Sequence, residues 1–326
     1  MRHSAVSSFV SLALMMAGCA PAAPAALTPV TLMLDWVPNV NHTGLFVAQQ
    51  HGYFTEAGLA VTIIQPGEVY AEQAVASGAA DFGVSYAEQV TLARANDGVP
   101  LVSIAAILQH NTSGFAARAG EGITAPQAWA GRRYGSFGSP FEAPTLQALM
   151  ACAGGDFSQL QIVEAGLTDP LALLNEKQID LAWIFYGTQG VQAEQQGIPL
   201  DVLMMDQYFD CIPDYYTPVL ITSEQLIAEK PAIVKAFVQA VSRGYRFAIT
   251  QPDPAAAILQ AAAPETELAT LTAQQAWLSP RYQAEAARWG DQQLSVWQNY
   301  ADWMLARGLI QQRLDAAPAF TTAFLP

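Results

Sequence analysis

The chain has 326 residues, and 28 Asp and Glu against 14 Lys and Arg give it a formal charge of −14. So few cations make nucleic acid and anionic lipid surfaces poor partners, because both bind clustered positive charge. The three Cys and four His show no paired-cysteine or Cys/His metal spacing, so no metal site is expected.

The N-terminus resembles the leader of a bacterial lipoprotein. Arg2 supplies a positive start, 5–17 is an apolar run too short to span a bilayer, and small residues precede Cys19. We predict a signal peptide over 1–18 and lipid attachment at Cys19; an ordinary secretory peptide that contains a cysteine is the alternative. The Ala- and Pro-rich residues 20–29 predict a loose tether. The protein is then expected on the extracytoplasmic face of the cell membrane, with the lipid as its one membrane contact.

Strand-like and helix-like segments alternate from Val30 onward. The predicted strands are 30–34, 59–64, 82–84, 101–108, 133–135, 161–163, 181–185 and 218–222. The predicted helices are 42–50, 71–77, 230–249, 254–263, 267–277 and 291–307. Repeated strand–helix units with short joins are typical of a doubly wound α/β fold.

Two segments of loop-like composition predict that the chain forms two lobes. The small residues of 113–124 precede a new strand–helix unit, and the Pro-containing segment 211–218 precedes the last strand. The 308 residues left after removal of 1–18 suffice for two lobes of about 150 residues each. We assign 30–114 and 217–326 to lobe 1, and 115–216 to lobe 2. Cys152 and Cys211 could pair, since export permits disulfides, but the sequence does not place them within bonding distance.

Ligands of open α/β sheets bind beyond the carboxyl ends of the strands, beside helix N-termini. The first such loop is 35–44, where Trp36 and Asn39 are candidate ligand contacts. A structural role is the alternative there, with Asn41 capping a helix and Trp36 covering the sheet edge. Tyr86, after the strand 82–84, is a second candidate for stacking or hydrogen bonding.

Two further loops follow later strands. Ser136, Ser139 and Glu142 in the third loop are candidate ligand contacts. For Glu142 a structural role is the alternative, because Ser139 as N-cap and Glu142 at N3 fit a capping box. The fourth offers Tyr186, which should emerge at a strand end while Trp183 and Phe185 alternate into the core. Asn111, near the first lobe crossing, completes the candidates.

No catalytic set accompanies these residues. The sequence has no Gly-x-Ser-x-Gly elbow, phosphate loop or His-Glu-x-x-His motif. Trp, Tyr, Asn and Ser suit the binding of a flat, uncharged, hydrogen-bonding ring. A binding protein without a cofactor is therefore expected, and a membrane-tethered hydrolase is the alternative class.

Four motifs resemble those of the NMT1/THI5-like solute-binding proteins of ABC importers. They are Leu-Asp-Trp-Val-Pro-Asn-Val-Asn-His-Thr-Gly from Leu34, Gly-Ala-Ala-Asp-Phe-Gly-Val-Ser-Tyr from Gly78, Gln-His-Asn-Thr-Ser-Gly-Phe from Gln109, and Trp-Ile-Phe-Tyr-Gly from Trp183. The resemblance implies a type II periplasmic-binding-protein fold, a small-molecule ligand in the cleft between two lobes, and a membrane permease as partner.

The same family has an enzymatic branch that builds the thiamin pyrimidine from its own histidine and a lysine-bound pyridoxal phosphate. At the two matching positions this chain has Ser85 and Gln89, and near the cysteine cluster of that branch it has only Cys211. Without the amine and the imidazole that chemistry cannot run, so we expect no enzyme.

Two ligands compete within the binding branch: riboflavin and formylaminopyrimidine. Pyrimidine-binding relatives tend to place a Trp and often an acid shortly after the position of Tyr186, where this chain has Thr188 and Gln189. They often carry Trp where this chain has Phe137. Smaller and uncharged residues favour a larger neutral heterocycle, so riboflavin is the expected ligand and formylaminopyrimidine the alternative.

Overall fold

The structure is a computed structural model that describes residues 26–166 and 168–326. The predicted signal peptide, Cys19 and most of the predicted tether lie outside these residues. The tether was expected to reach Pro29, but the first strand already begins at Thr28. Across the described residues, no helix combines the length and the apolar character needed to cross a membrane.

Ten strands in the described part of the chain form two mixed sheets. They are β1 (Thr28–Met33), β2 (Leu59–Ile64), β3 (Phe82–Ser85), β4 (Leu101–Ala106), β5 (Ser113–Arg118), β6 (Arg133–Ser136), β7 (Gln161–Glu164), β8 (Leu181–Phe185), β9 (Leu200–Met204) and β10 (Val219–Ser223). The first sheet has the order β2-β1-β3-β10-β4 and the second β7-β6-β8-β5-β9. The fourth strand of each order runs antiparallel to both of its neighbours.

Helices cover both sheets. Those that the described residues form are α1 (Thr43–Gln50), α2 (Tyr53–Glu56), α3 (Ala71–Ser77), α4 (Ala87–Asn96), α5 (Glu142–Cys152), α6 (Pro170–Asn175), α7 (Val191–Gln195), α8 (Glu224–Glu229), α9 (Pro231–Thr250), α10 (Pro252–Gln260), α11 (Leu268–Leu278) and α12 (Leu294–Ala306). The alternation of strands and helices that the sequence predicted is confirmed. The two-lobed arrangement is the type II periplasmic-binding-protein fold.

Helix α9 fixes α1, and with it the loop that follows β1. Its buried residues recur at helical spacing, as at Val234, Val238, Val241 and Tyr245, which gives it one apolar face. Gly244 lies so close to α1 that a Cβ there would meet the carbonyl oxygen of Gly44 at 1.9 Å. Only glycine permits this approach, because any side chain would separate the two helices.

The chain crosses between the lobes twice, and the first crossing differs from the prediction. Residues 113–118 are not a loose segment: they form β5, which lies between β8 and β9 in the second sheet. The prediction was wrong because small residues such as Gly114 suggest a loop. Here they are needed, since a Cβ at Gly114 would lie 2.5 Å from the Leu203 carbonyl oxygen. The first crossing therefore spans 107–112, and a lobe boundary at 114 would cut β5.

The second crossing, 205–218, is tied to lobe 2 by a disulfide. Cys152 at the end of α5 is bonded to Cys211, and their Cα atoms are 6.1 Å apart. The Nε1 of Trp303 on α12 donates to the Cys211 carbonyl oxygen at 3.0 Å. The crossing is thus anchored to both lobes, which settles the pairing that the sequence left open.

Candidate ligand-binding cleft

A cleft lies between the lobes, at the carboxyl ends of strands from both sheets. Its empty space is about 1020 Å³, with the open solvent at its mouth included. The wall is largely aromatic and apolar. Its aromatic members are Trp36, Tyr86, Phe137, Phe141, Trp183, Phe185 and Tyr215. This position is where open α/β sheets bind ligands, and an aromatic wall suits a flat ring.

Two aromatic rings from opposite lobes lie nearly parallel in this wall. Tyr86 follows β3 in lobe 1 and Phe185 ends β8 in lobe 2; their ring centroids are 6.5 Å apart and their planes differ by 18°. Stacking against an aromatic ligand requires a flat face of this kind. The two lobes therefore each contribute one such face.

A buried polar network holds Tyr86 in place. Its hydroxyl donates to Asp35 Oδ2 at 2.6 Å, and Asp35 Oδ1 lies 2.6 Å from His42 Nε2. His42 Nδ1 accepts the backbone N–H of Asn39, which assigns the ring proton to Nε2, the nitrogen facing Asp35. Asp35, in the loop after β1, is thus held by His42 through one carboxylate oxygen and holds the Tyr86 hydroxyl with the other.

Burial and hydrogen bonding act in opposite directions on Asp35. Burial raises the pKa of this carboxyl, but His42 and the Tyr86 hydroxyl together outweigh it, so the pKa lies below its usual value. Burial and the adjacent Asp35 carboxylate raise the pKa of Tyr86 well above 10. At neutral pH the pair is therefore a carboxylate that accepts and a phenol that donates.

Three buried polar atoms of the cleft wall have no hydrogen-bond partner among the described residues. They are Glu88 Oε2, Trp183 Nε1 and Thr217 Oγ1. Buried polar groups in folded proteins almost always have partners, because an unmade hydrogen bond costs about 1–3 kcal/mol. Three such atoms on one wall point to a ligand with complementary polar groups.

Three of the predicted site residues, Trp36, Asn39 and Tyr86, line this cleft. The prediction that Asn41 caps the helix is wrong: Asn39 caps the short 3-10 helix Val40–His42 that leads into α1, and His42 is the N-cap of α1 itself. Asn39 Oδ1 accepts the Asn41 N–H at 2.9 Å and its Nδ2 donates to the Val37 carbonyl. The Asn39 amide is thus already engaged with the backbone.

Ser136, Ser139 and Glu142 are not among the residues of the cleft wall. Glu142 is 2% exposed, and its carboxylate accepts from the Tyr134 hydroxyl, Ser136 Oγ and two backbone N–H groups. One of those N–H groups is that of Ser139, so half of the predicted capping box forms. The other half does not, because Phe141 is the N-cap of α5 and the Ser139 hydroxyl bonds nothing in the described chain.

Asn111 and Tyr186 line a second cavity rather than the main cleft. The Tyr186 ring lies 5.2 Å from that of Trp277 in lobe 1, and its hydroxyl donates to Glu194. Asn111 Oδ1 accepts from the backbone and hydroxyl of Ser113. The expectation that Trp183 points into the core is confirmed, since it is buried and packs against Phe115 and Phe141, although it also lines the cleft. For Phe185 the expectation is wrong, since its side chain is half-buried and lines the cleft.

The sequence could have indicated Phe185 and Trp183. Side chains alternate along a strand, so these two share the side opposite to Tyr186 at the strand end. Which side faces the cleft depends on how the second sheet meets the first, and the strand pattern does not contain that information. The sequence offers even less indication that Glu88 lines the cleft, because the helix dipole alone favours an acid in the first turn of a helix.

Comparison with known proteins identifies the family. The family described as NMT1/THI5 like matches residues 39–255. The chain belongs to this family. The match begins at the helix-capping Asn39 and spans both sheets, so the NMT1/THI5-like assignment covers all the strands that form the cleft except β1.

Three relatives match over most of their length. A formylaminopyrimidine-binding protein of Halalkalibacterium halodurans is 27% identical, over 91% of each chain. The riboflavin-binding protein RibY of Chloroflexus aurantiacus is 29% identical, over 94% of this chain and 89% of its own. A 4-amino-5-hydroxymethyl-2-methylpyrimidine phosphate synthase of Legionella pneumophila is 26% identical, over 91% of this chain and 92% of its own.

A solved structure shows the same fold. The alkanesulfonate-binding protein SsuA of Xanthomonas axonopodis pv. citri superposes with a TM-score of 0.68, over 91% of this chain and 99% of that one, at 14% identity. This similarity concerns the fold alone. Among the residues that the structure describes, no group of three His, Cys, Asp or Glu is placed to hold a metal ion.

Proposed function

We propose that the protein is the substrate-binding component of an ABC importer and that its ligand is riboflavin. The observation that carries this proposal is the cleft wall, in which the stacked faces of Tyr86 and Phe185 accompany three unpartnered polar atoms. A flat, neutral, hydrogen-bonding heterocycle satisfies both features. Lobe closure on the ligand, docking to a permease and release need no covalent step.

The choice of riboflavin rests on three positions of the wall. Phe137, Thr188 and Gln189, which stand where pyrimidine-binding relatives tend to carry larger or acidic residues, all line the cleft. A threonine in place of an indole enlarges the space for a fused ring system. Riboflavin also has a chain of hydroxyls that polar wall atoms can bind. RibY, at 29% identity, adds support.

Formylaminopyrimidine is the second candidate. The relative that is named for binding it is 27% identical over 91% of both chains. A single pyrimidine ring could also stack between Tyr86 and Phe185 once the lobes separate to admit it. The two ligands therefore differ in how much of the cleft they fill, and not in how they would stack.

Pyrimidine synthesis is not supported by the cleft chemistry. Ser85, at the position of the lysine in the enzymatic branch, is buried and donates its hydroxyl to Glu72. The lining of the cleft, as far as the described residues form it, contains neither lysine nor histidine. No amine is therefore at hand for a Schiff base.

We further propose that lipid on Cys19 anchors the protein at the extracytoplasmic face of the membrane after removal of residues 1–18. Because β1 begins at Thr28, residues 19–27 would form the tether. Substitution of Cys19 by Ser should release the protein from membranes, and mass spectrometry of the wild-type N-terminus should show the lipid.

Titration decides between the ligands. The purified protein is titrated with riboflavin while flavin fluorescence is followed, and with formylaminopyrimidine by calorimetry. Quenching at micromolar protein or below, with ligand recovered stoichiometrically and chemically unchanged, supports riboflavin capture. Tight pyrimidine binding without quenching selects the second candidate, and turnover of either compound contradicts a pure binding role.

A further inference from the structure

Glu88 and Asp35 are the two acidic residues among the described residues that line the cleft. Glu88 lies in the first turn of α4, two residues after the stacking residue Tyr86, and is 3% exposed. It lines the cleft, and no described group of the protein bonds its Oε2. A buried carboxyl oxygen without a partner is unusual enough to need an explanation.

The groups around Glu88 offer no positive charge. The titratable groups that face it are Glu72 on α3, Tyr86, Tyr215 on the second crossing and Tyr300 on α12. Burial is the main cause that raises the pKa of Glu88 to about 8, and Glu72 adds to it, while the residue's own backbone N–H opposes it. At neutral pH the carboxyl is therefore protonated.

We propose that Glu88 is a specificity-determining residue of the cleft, whose carboxyl O–H donates a hydrogen bond to a carbonyl oxygen or unprotonated ring nitrogen of the ligand. This proposal rests on the proposed function, since it assumes a heterocycle between the lobes. A protonated carboxyl donates, whereas a carboxylate only accepts. Glu88 in its neutral form therefore selects ligands that present an acceptor, and the ionised form would repel that acceptor.

Replacement of Glu88 by the isosteric Gln, with binding measured at several pH values, distinguishes the protonated from the ionised form of Glu88. Dissociation constants for riboflavin and for formylaminopyrimidine are measured between pH 6 and 9.5 on the full chain extracted in detergent, as wild type and as Glu88→Gln and Glu88→Ala. Glu88→Gln keeps a donor but cannot ionise. Glu68→Gln, at an exposed position, is the matched control, and Glu72→Gln tests the neighbouring half-buried acid.

The expected result is a wild-type affinity that falls about tenfold per pH unit above pH 8. Glu88→Gln should match the wild type within about threefold at pH 6.5 and stay flat to pH 9.5, and Glu88→Ala should bind at least about tenfold more weakly. Glu68→Gln should keep the wild-type decline, whereas in Glu72→Gln the decline should begin at a lower pH, because that variant removes one cause of the raised pKa of Glu88. The wild-type and Glu88→Gln proteins share all other titrating groups, so their difference isolates Glu88.

Two results would overturn the inference in distinguishable ways. If a heterocycle binds but Glu88→Gln declines with pH as the wild type does, or neither declines, Glu88 is not the donor and the proposed function stands. If neither heterocycle binds the wild type at pH 6.5, the proposed function fails and the inference fails with it. A Glu88→Ala variant that does not fold leaves the comparison of wild type with Glu88→Gln intact.

Discussion

The rings of Tyr86 and Phe185 face each other from different lobes, with centroids 6.5 Å apart and planes within 18° of parallel. Carbon atoms in contact lie about 3.5–4.0 Å apart, so a ring held between two others needs about 7 Å or more. The lobes must therefore separate for a flat ligand to enter and close again on both of its faces. Binding would then be coupled directly to lobe closure.

Removal of one stacking face should weaken ligand binding. Phe185→Ala should reduce riboflavin affinity by about 1–3 kcal/mol, the usual value for an aromatic group stacked on a flat heterocycle. Tyr186→Ala is the matched control, because Tyr186 is the next residue but lines the second cavity. Fluorescence titration measures both. Equal losses in the two variants would contradict the placement of the ligand between Tyr86 and Phe185.

The hydroxyl of Tyr86 should matter for stability more than for stacking. Tyr86→Phe keeps the ring but removes the 2.6 Å hydrogen bond to the buried Asp35, which should lower the free energy of unfolding by about 1–3 kcal/mol. Tyr70→Phe, at an exposed position, should change it by less than about 0.5 kcal/mol. Chemical denaturation measures both variants. A Tyr86→Phe protein as stable as the wild type would show that the network does not depend on this hydroxyl.

The disulfide should stabilise the fold. Cys152 and Cys211 are 59 positions apart, and a cross-link over such a loop restricts the unfolded chain, so their joint substitution by Ala should cost about 2–4 kcal/mol. Denaturation with and without a reductant measures the effect. The reductant should destabilise the wild type and leave the double variant unchanged; an equal response of both proteins would mean that the bond does not form.

The ion cluster at the crossings predicts a pH-dependent stability. His110 on the first crossing lies 2.5 Å from Asp214 on the second and 3.0 Å from Glu285. The hydrogen bond to Asp214 is the main cause that raises the pKa of His110 from 6.5 to about 9. Because the folded value exceeds the unfolded one, this stabilisation is complete below pH 6.5 and is lost as the pH rises through 9.

His110→Gln tests this directly. Its melting temperature should be lower than that of the wild type at pH 6, and the two values should converge by pH 10. The difference should be small, since the His110 side chain is 46% exposed and solvent screens the cluster. A gap between the proteins that stays constant from pH 6 to pH 10 would assign the effect to packing rather than charge.

Most strands of the fold could be predicted because a buried strand is a short run of apolar residues, which is visible in the local sequence. The predicted strands at 59–64 and 181–185 match β2 and β8 to the residue, since both are short apolar runs between turns. Strands β5 and β9 were not predicted, β5 for the opposite reason. The small residues of β5 are selected by the close approach of β9, a neighbour that comes from about 85 positions later in the chain, and no local pattern encodes that contact.

The site was predicted in part. Loops after β1 and β3 were identified because the carboxyl ends of strands form ligand sites, and Trp36, Asn39 and Tyr86 do line the cleft. The fourth loop was identified too, but Tyr186 was chosen over Phe185. The succession of Phe185, which ends β8, and Tyr186, which follows it, is local, whereas the direction in which each side chain points depends on the angle between the sheets.

By itself, the sequence determined the alternation of strands and helices, the α/β class and the family resemblance, because hydrophobic period and motif spacing are properties of neighbouring residues. Only the tertiary structure decided which side chains meet. It paired Cys152 with Cys211, enclosed the carboxylate of Glu142 in internal hydrogen bonds, and left Glu88 Oε2 without a described partner in the cleft wall. The physical reason is that burial and hydrogen bonding of a side chain depend on groups brought from distant parts of the chain.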